Sequence, residues 1–463
     1  MEETENNVLG TQPVGRLLRR FAIPSIISMV VSTLYNIVDQ IFIGWGVGYL
    51  GNGATNVILP LTVIALALGL LIGDGVTAYF SLCLGLKNKK GAAQGVCNAI
   101  IMLIVVSLII TAISLSFLKP LCVLFGATED IMPYALEYGY IIAMGFPFYI
   151  FSMGFNSVIR ADGSSVYAML TTLSGAILNT ILDPIFIFAF NMGVTGAAIA
   201  TVIGQVVSCA MTLIYLRKFR NIKITKASFK MNGKLCAKVC SLGISSFVMQ
   251  IAATIVITVM NNVLVKYGAD TKYGSEIPMT TLGITMKINQ IITGIVIGIA
   301  VGAQPIIGYN YGAAKLDRAK KTYLLAIGCS TAVMAVGTLI FQLFPDAIVG
   351  IFGSESELYN EFAVKCLRIF LLLIVLNGFQ TCTGIFFQAI GKPIQATIVS
   401  LSRQVLFLLP ALLILPMLMG LEGALWAGPV GDACAFVLTI ILGLIELRRL
   451  GRKGIEYKSK DNS

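Results

Sequence analysis

Apolar runs of roughly 20 to 30 residues, separated by short polar breaks, recur twelve times along this 463-residue chain and leave few folds open. An α-helix needs about 20 mostly apolar residues to cross the hydrocarbon core, whereas a tilted barrel strand needs about 10. Runs of this length therefore predict helices, which satisfy every backbone hydrogen bond internally. Charged residues make up only 12% of the chain, about half of what soluble domains carry. The expected fold is an all-α membrane protein with helices near 21–44, 54–82, 92–117, 133–158, 166–190 and 194–216, then 240–265, 279–307, 321–344, 359–388, 394–417 and 421–447. These divide the chain into a tail (1–20), a first six-helix lobe (21–216), a basic linker (217–239), a second lobe (240–447) and a basic tail (448–463). The opening MEETENNVLGTQPVGRLLRR is acidic and polar before its first basic cluster, unlike a cleaved signal peptide, so the first helix is expected to stay in the mature protein.

The net charge of +11 reads as a topology signal rather than a nucleic-acid footprint. With the N-terminus inside, the inner segments carry Lys/Arg at 16–20, 87–90, Arg160, 217–238, 315–321, Lys392 and the C-terminal tail, together 26 of the 33. The outer loops carry Lys119, Lys266 and Lys272, and four basic residues fall within helices. Positive-inside bias predicts both termini in the cytoplasm of a bacterial inner membrane. The linker, basic with few acids, is expected to lie near anionic lipid.

The two lobes repeat in sequence at an offset of 227 or 228. Gly75 meets Gly302, Gly85 meets Gly312, Phe125-Gly126 meets Phe352-Gly353, Gly163 meets Gly391, and MGVTGAAIA from Met192 meets MGLEGALWA from Met419. An even number of helices per unit puts both copies in the membrane the same way up, related by an axis along the membrane normal, with a substrate path between them.

Four acids fall deep in apolar segments: Asp39, Asp74, Asp183 and Asp432. A charge at mid-membrane costs at least ~2.5 kcal/mol, so such residues face a cavity or a partner. Asp39 and Asp183 lie at matching depths in the first and fifth helices. Asn179 shares a helical face with Asp183, and Thr201 reaches similar depth from the sixth helix. Such an oxygen cluster suits a shared proton or Na+. With no histidine in the chain, a proton relay would have to use these carboxylates. Pro184 and Pro24 each remove a backbone donor and can kink their helices. Asp74, in GDG near the inner end of the second helix, reads as a solvated helix terminus.

The copies differ where it matters. Positions 228 after Asn179 and Asp183 are Phe407 and Ala411, neither able to hold a cation, so coupling is expected in the first lobe alone. The second lobe brings Lys287, Arg403 and Asp432 within helices, read first as ion pairs and second as substrate contacts. Met29, Tyr35, Tyr138, Phe151 and Met153 are candidates for an adaptable cavity wall or for ordinary packing. Ten scattered cysteines, with Cys236 and Cys240 the one close pair, predict neither disulfides nor a zinc site.

LYNIVDQIFIGWGVGYLGNGATNV from Leu34, NTILDPIFIF from Asn179, GVTGAAIATVIGQ from Gly193 and GAQPIIGYNYGA from Gly302 resemble the multidrug and toxic compound extrusion (MATE) transporters, in particular the MepA-like branch, across residues 15–448. The resemblance implies a V-shaped pair of lobes with alternating access, exporting lipophilic, often cationic compounds in exchange for H+ or Na+. It also implies a cation site of Asp39, Asn179, Asp183, Thr201 and Asn156, although Asn156 lies nearer the inner end of its helix. Some branches carry acids in the seventh and tenth helices, where this chain has Gln250 and Asn377. No cofactor beyond the coupling ion is expected. The expected partners are small organic cations and membrane lipids, with the protein acting as a monomer.

Four other readings fit less well. A lipid-linked precursor exporter of the same superfamily would need a more basic cavity. A major-facilitator transporter would carry a basic Gly-Asp-Arg signature after the second helix, for which GLKNKKGA is a poor substitute. An intramembrane enzyme would need a nucleophile with its base or a metal cluster, and no His-based or paired-Cys site is available. A channel would need a selectivity-filter loop, which neither half offers.

Overall fold

A computed structural model describes residues 8–351 and 356–461. Its membrane spans are α1 (Val14–Val47), α2 (Tyr49–Gly85), α3 (Lys89–Leu124), α4 (Met132–Ala161), α5 (Ser165–Ala189), α6 (Gly193–Tyr215), α7 (Gly233–Gly268), α8 (Glu276–Gly312), α9 (Leu316–Leu343), a broken α10 (Glu357–Phe370 and Val375–Ala389), α11 (Pro393–Met419) and α12 (Leu421–Asp461). Among the described residues, eleven of them are long and apolar enough to cross a membrane, and the bent α10 pair, taken as one span, makes the twelfth. The helices run several residues past most of the expected ends, because the apolar pattern marks only the part in hydrocarbon. Polar caps fix where three of them start: Asn88 accepts from the Gly91 N–H at 2.9 Å, Asn232 from Lys234 and Leu235, and Ser356 from Tyr359.

The span expected at 359–388 is bent by 50° at residues 371–374, a Leu-Leu-Leu-Ile run with neither proline nor glycine. The carbonyl of Arg368, freed near the break, takes a hydrogen bond from the Gln342 amide at 2.8 Å. Pro184 leads into a π-helical turn at Ile185–Ala189, whereas Pro24 lies inside the unbroken α1. Residues 8–20, expected as a tail, are largely helical and fold onto the end of α8. There Asn310 donates to the Leu9 carbonyl at 3.0 Å and Arg318 to that of Gln12 at 2.6 Å.

Helices α1–α6 and α7–α12 form two lobes, each with its own apolar core, the first also taking in Leu235 and Val239 from the start of α7. A third cluster joins Leu18 and Ala22 of α1 to Ile299 and Ala303 of α8 across the seam. The sequence repeat has a physical basis here. Gly163 and Gly391 end α4 and the second half of α10 with φ of +91° and +78°, backbone that side chains resist. The pair Gly75 and Gly302 sits where each lobe touches the other. A Cβ on Gly75 would lie 2.1 Å from the Val239 carbonyl of α7, and one on Gly302 would lie 2.7 Å from the Ala22 Cα of α1. Gly85 and Gly312 cross in the same way at the ends of α2 and α8. These approaches gather at the end of the bundle where the basic loops 86–90 and 313–321 lie, and they seal the lobes together there. The repeat pair Phe125-Gly126 and Phe352-Gly353 falls partly outside the described residues.

Candidate functional site

Two helix crossings assemble a polar cluster inside the first lobe. Gly175 of α5 and Gly204 of α6 pack backbone to backbone, where a Cβ on Gly204 would sit 2.7 Å from the Gly175 carbonyl. One turn further on, this puts Thr201 beside Asn179, whose amide donates to Thr201 Oγ1 at 3.3 Å and to Asp183 Oδ1 at 3.0 Å. At the end of α1, Gly46 lies against Ile187 and Phe188 of the π turn. That approach draws α1 onto α5, so that the carboxyl groups of Asp39 and Asp183 lie against each other, flanked by Tyr35 and Tyr138.

The cluster lacks donors. Asp183 is fully buried and Asn179 nearly so, yet Asp39 Oδ1, Asn179 Oδ1 and Asp183 Oδ2 each have no hydrogen-bond partner. Three enclosed acceptor oxygens beside a threonine hydroxyl cost free energy unless a proton or a hard cation joins them. A small cavity continues from Asn179 and Thr201 toward the basic end, lined by Tyr35, Tyr149, Ser152, Met153, Gln205 and Ser208.

The other candidates divide. Tyr35 and Met153 line this intralobe cavity, Tyr138 packs on the acids, and Met29 lies in the seam with its Cβ 3.8 Å from where a Gly294 Cβ would be. Phe151 is a core residue, buried and stacked on Phe155 at 5.5 Å. Asn156 does not reach the acid pair. It donates to the Ala168 carbonyl at 2.9 Å and to Thr171 at 2.8 Å, and it accepts from Arg160, because it lies more than a helical turn nearer the basic end. Arg403 pairs with buried Asp432 at 2.5 Å, with Asn377 alongside, so these groups neutralise each other within the second lobe. Lys287 was expected to pair, yet it is exposed and joins no ion pair among the described residues.

Asp74 corrects the sequence reading most. It is no solvated terminus but the centre of a network across the seam. Ser157 of α4 donates to one carboxylate oxygen at 3.0 Å, and Ser246 of α7 donates to the other at 2.8 Å. Buried Arg160 donates to Ser157 at 2.8 Å on the first-lobe side. On the second-lobe side Gln388 donates to Ser246 at 3.3 Å and to the Leu242 carbonyl at 3.0 Å, and Gln304 donates to Gln388 at 3.2 Å. Asp162, not singled out from sequence, fastens the linker: it accepts from the Tyr215 hydroxyl at 2.7 Å and from the backbone N–H groups of Arg220 and Asn221 at 2.8 and 3.1 Å.

Among known proteins, the multidrug export protein MepA of Staphylococcus aureus is 28% identical over 449 residues, 94% of this chain and 95% of that protein. The protein of that name from Staphylococcus haemolyticus is 27% identical, covering 93% of each chain. A crystal structure of MATE in the bent conformation superposes with a TM-score of 0.89 at 23% identity, over 98% of this chain and 99% of that one. An outward-facing multidrug resistance MATE family transporter gives 0.90 at 24% identity, over 98% and 100%. The MatE family model matches residues 24–185 and again 247–413, one match in each lobe. With a match in each lobe covering more than half of the chain, the chain is a multi-pass membrane protein that belongs to the MatE family.

Proposed function

We propose that this protein is a secondary antiporter that exports lipophilic, often cationic compounds in exchange for inward-moving H+ or Na+. The observation that carries the reading is the donor-poor cluster of Asp39, Asn179 and Asp183, with three buried acceptor oxygens left without partners. A cation joining these acceptors removes a desolvation cost that they would otherwise bear, so its binding favours one arrangement of α1 and α5 over another. The relatives named as multidrug export proteins support the choice of cargo.

In this reading the basic loops face the cytoplasm, so the sealed end of the seam is the inner gate and the lobes part toward the outside. Helix α1 serves both tasks. Tyr35 and Asp39 lie on the face toward α5, while Ala22, Ile26 and Met29 lie on the face against Gly294, Gly298 and Gly302 of α8. A cation that shifts α1 against α5 therefore acts on the contact that holds the lobes together. Each net charge moved inward contributes ~2.3 kcal/mol per 100 mV of membrane potential. The test is ethidium efflux from proteoliposomes: Asp39→Asn and Asp183→Asn should abolish gradient-driven pumping while the protein stays folded. Wild-type rates in both variants would sink the proposed coupling site.

A further inference from the structure

The seam between α1 and α8 changes character along its length. Toward the basic end it is dry and close, with Gly294, Gly298 and Gly302 of α8 against Met29, Ile26 and Ala22 of α1. Continued away from that end, the same face of α8 carries Gln290, Lys287, Gly283 and Thr280, all exposed. The matching face of α1 continues to Asn36, exposed as well. Helices that touch on one stretch of a face and are exposed on the next have parted, so Lys287 stands on the wall of an open cleft between the lobes. Seven residues outward from Gly294, it lies level with Asn36, seven residues outward from Met29 and about a turn short of Asp39, which faces into the first lobe.

A lysine at this depth with no counter-ion among the described residues would be costly against lipid, but it is tolerated in a water-filled cleft. Its neighbours on the two faces are amides and a hydroxyl rather than carboxylates. On the other seam, where Gly243 of α7 meets the Leu71 carbonyl, α2 continues with Ile64 and Leu68. The cleft thus combines apolar wall with one unneutralised ammonium and amide donors, which complements an organic anion on an apolar body.

We infer that Lys287 is a specificity-determining residue of the interlobe cleft, selecting amphiphiles that carry a carboxylate, zwitterions included. This deepens the exporter reading and rests on it for the cargo path. The test is binding to the purified protein of a fluorescent quinolone carboxylic acid, its methyl ester and ethidium. Wild type should bind the acid about tenfold or more tightly over the ester, the scale of one charge-assisted contact. Lys287→Gln should erase that preference and leave ethidium binding unchanged or tighter, while Lys287→Arg should keep it. An acid-to-ester ratio that is the same in wild type and Lys287→Gln overturns the inference, as does an equal loss of all three ligands. A wild-type protein that binds the acid selectively yet pumps no compound uphill would instead refute the exporter reading and leave the binding site standing.

Discussion

Replacing Ser246 with alanine should loosen the sealed end of the seam by a calculable amount. The Ser246 hydroxyl donates to Asp74 at 2.8 Å from the second lobe, whereas Ser157 donates from the first. A hydrogen bond to a charged group contributes about 1.5–3 kcal/mol, and this one exists only while the lobes are closed here. The Gln388 bond to the same hydroxyl is longer at 3.3 Å and adds little. The closed-to-open ratio should therefore fall by about ten- to a hundredfold, which is enough to raise an opened state of roughly 1% to tens of per cent. Spin labels at Lys90 and Lys320, exposed positions of opposite lobes, would read this as a second, longer distance in a pulsed dipolar measurement. Exposed Cys329 and Cys434 and the remaining eight cysteines would first be replaced. Ser246→Thr, which keeps the hydroxyl, should behave as wild type. An unchanged distance distribution in Ser246→Ala would refute the latch.

Gly243→Val should force the same end apart more strongly, since its Cβ would lie 1.8 Å from the Leu71 carbonyl and ordinary contact begins near 3.4 Å. The label pair should show mainly the long distance, and a wild-type distribution would contradict the packing. Asp162→Ala should free the linker. Losing a buried acceptor of several hydrogen bonds costs roughly 3 kcal/mol, so trypsin should cut at Arg217 or Lys218 about a hundredfold faster, as read by timed digestion. Asp432→Asn strands Arg403 and should cost about 3 kcal/mol in thermal unfolding, with Arg403→Gln/Asp432→Asn recovering most of it and efflux coupling untouched. Loss of coupling in the double variant would place an ion step in the second lobe.

The sequence made the spans legible because apolar length is a direct consequence of bilayer thickness. It made the first-lobe cluster legible because Asn179 and Asp183 lie four residues apart and depth can be counted from helix ends. The repeat was visible as matched glycines, and the structure supplies their reasons in Gly75 and Gly302 at the seam and Gly163 and Gly391 at helix ends. What stayed hidden was set by distant partners. Asp74 near the end of a helix looks solvated until Ser246, 172 residues away, is brought against it. Asn156 lies on the helix that lines the site but points to Ala168 and Thr171. The break in α10 sits in a leucine run whose local pattern favours continuation. Lys287, read first as half of an ion pair, is exposed instead, because its surroundings depend on where α1 leaves α8.

The central claim is that a cation held at Asp39 and Asp183 drives uphill export. Proteoliposomes loaded with ethidium, given an imposed Na+ gradient or an imposed pH gradient one at a time, test it directly. The account predicts uphill ethidium movement under one of the two gradients, lost in Asp39→Asn and in Asp183→Asn and retained in Arg403→Gln/Asp432→Asn. Ethidium moving only down its own gradient, or both first-lobe variants pumping at the wild-type rate, would contradict it.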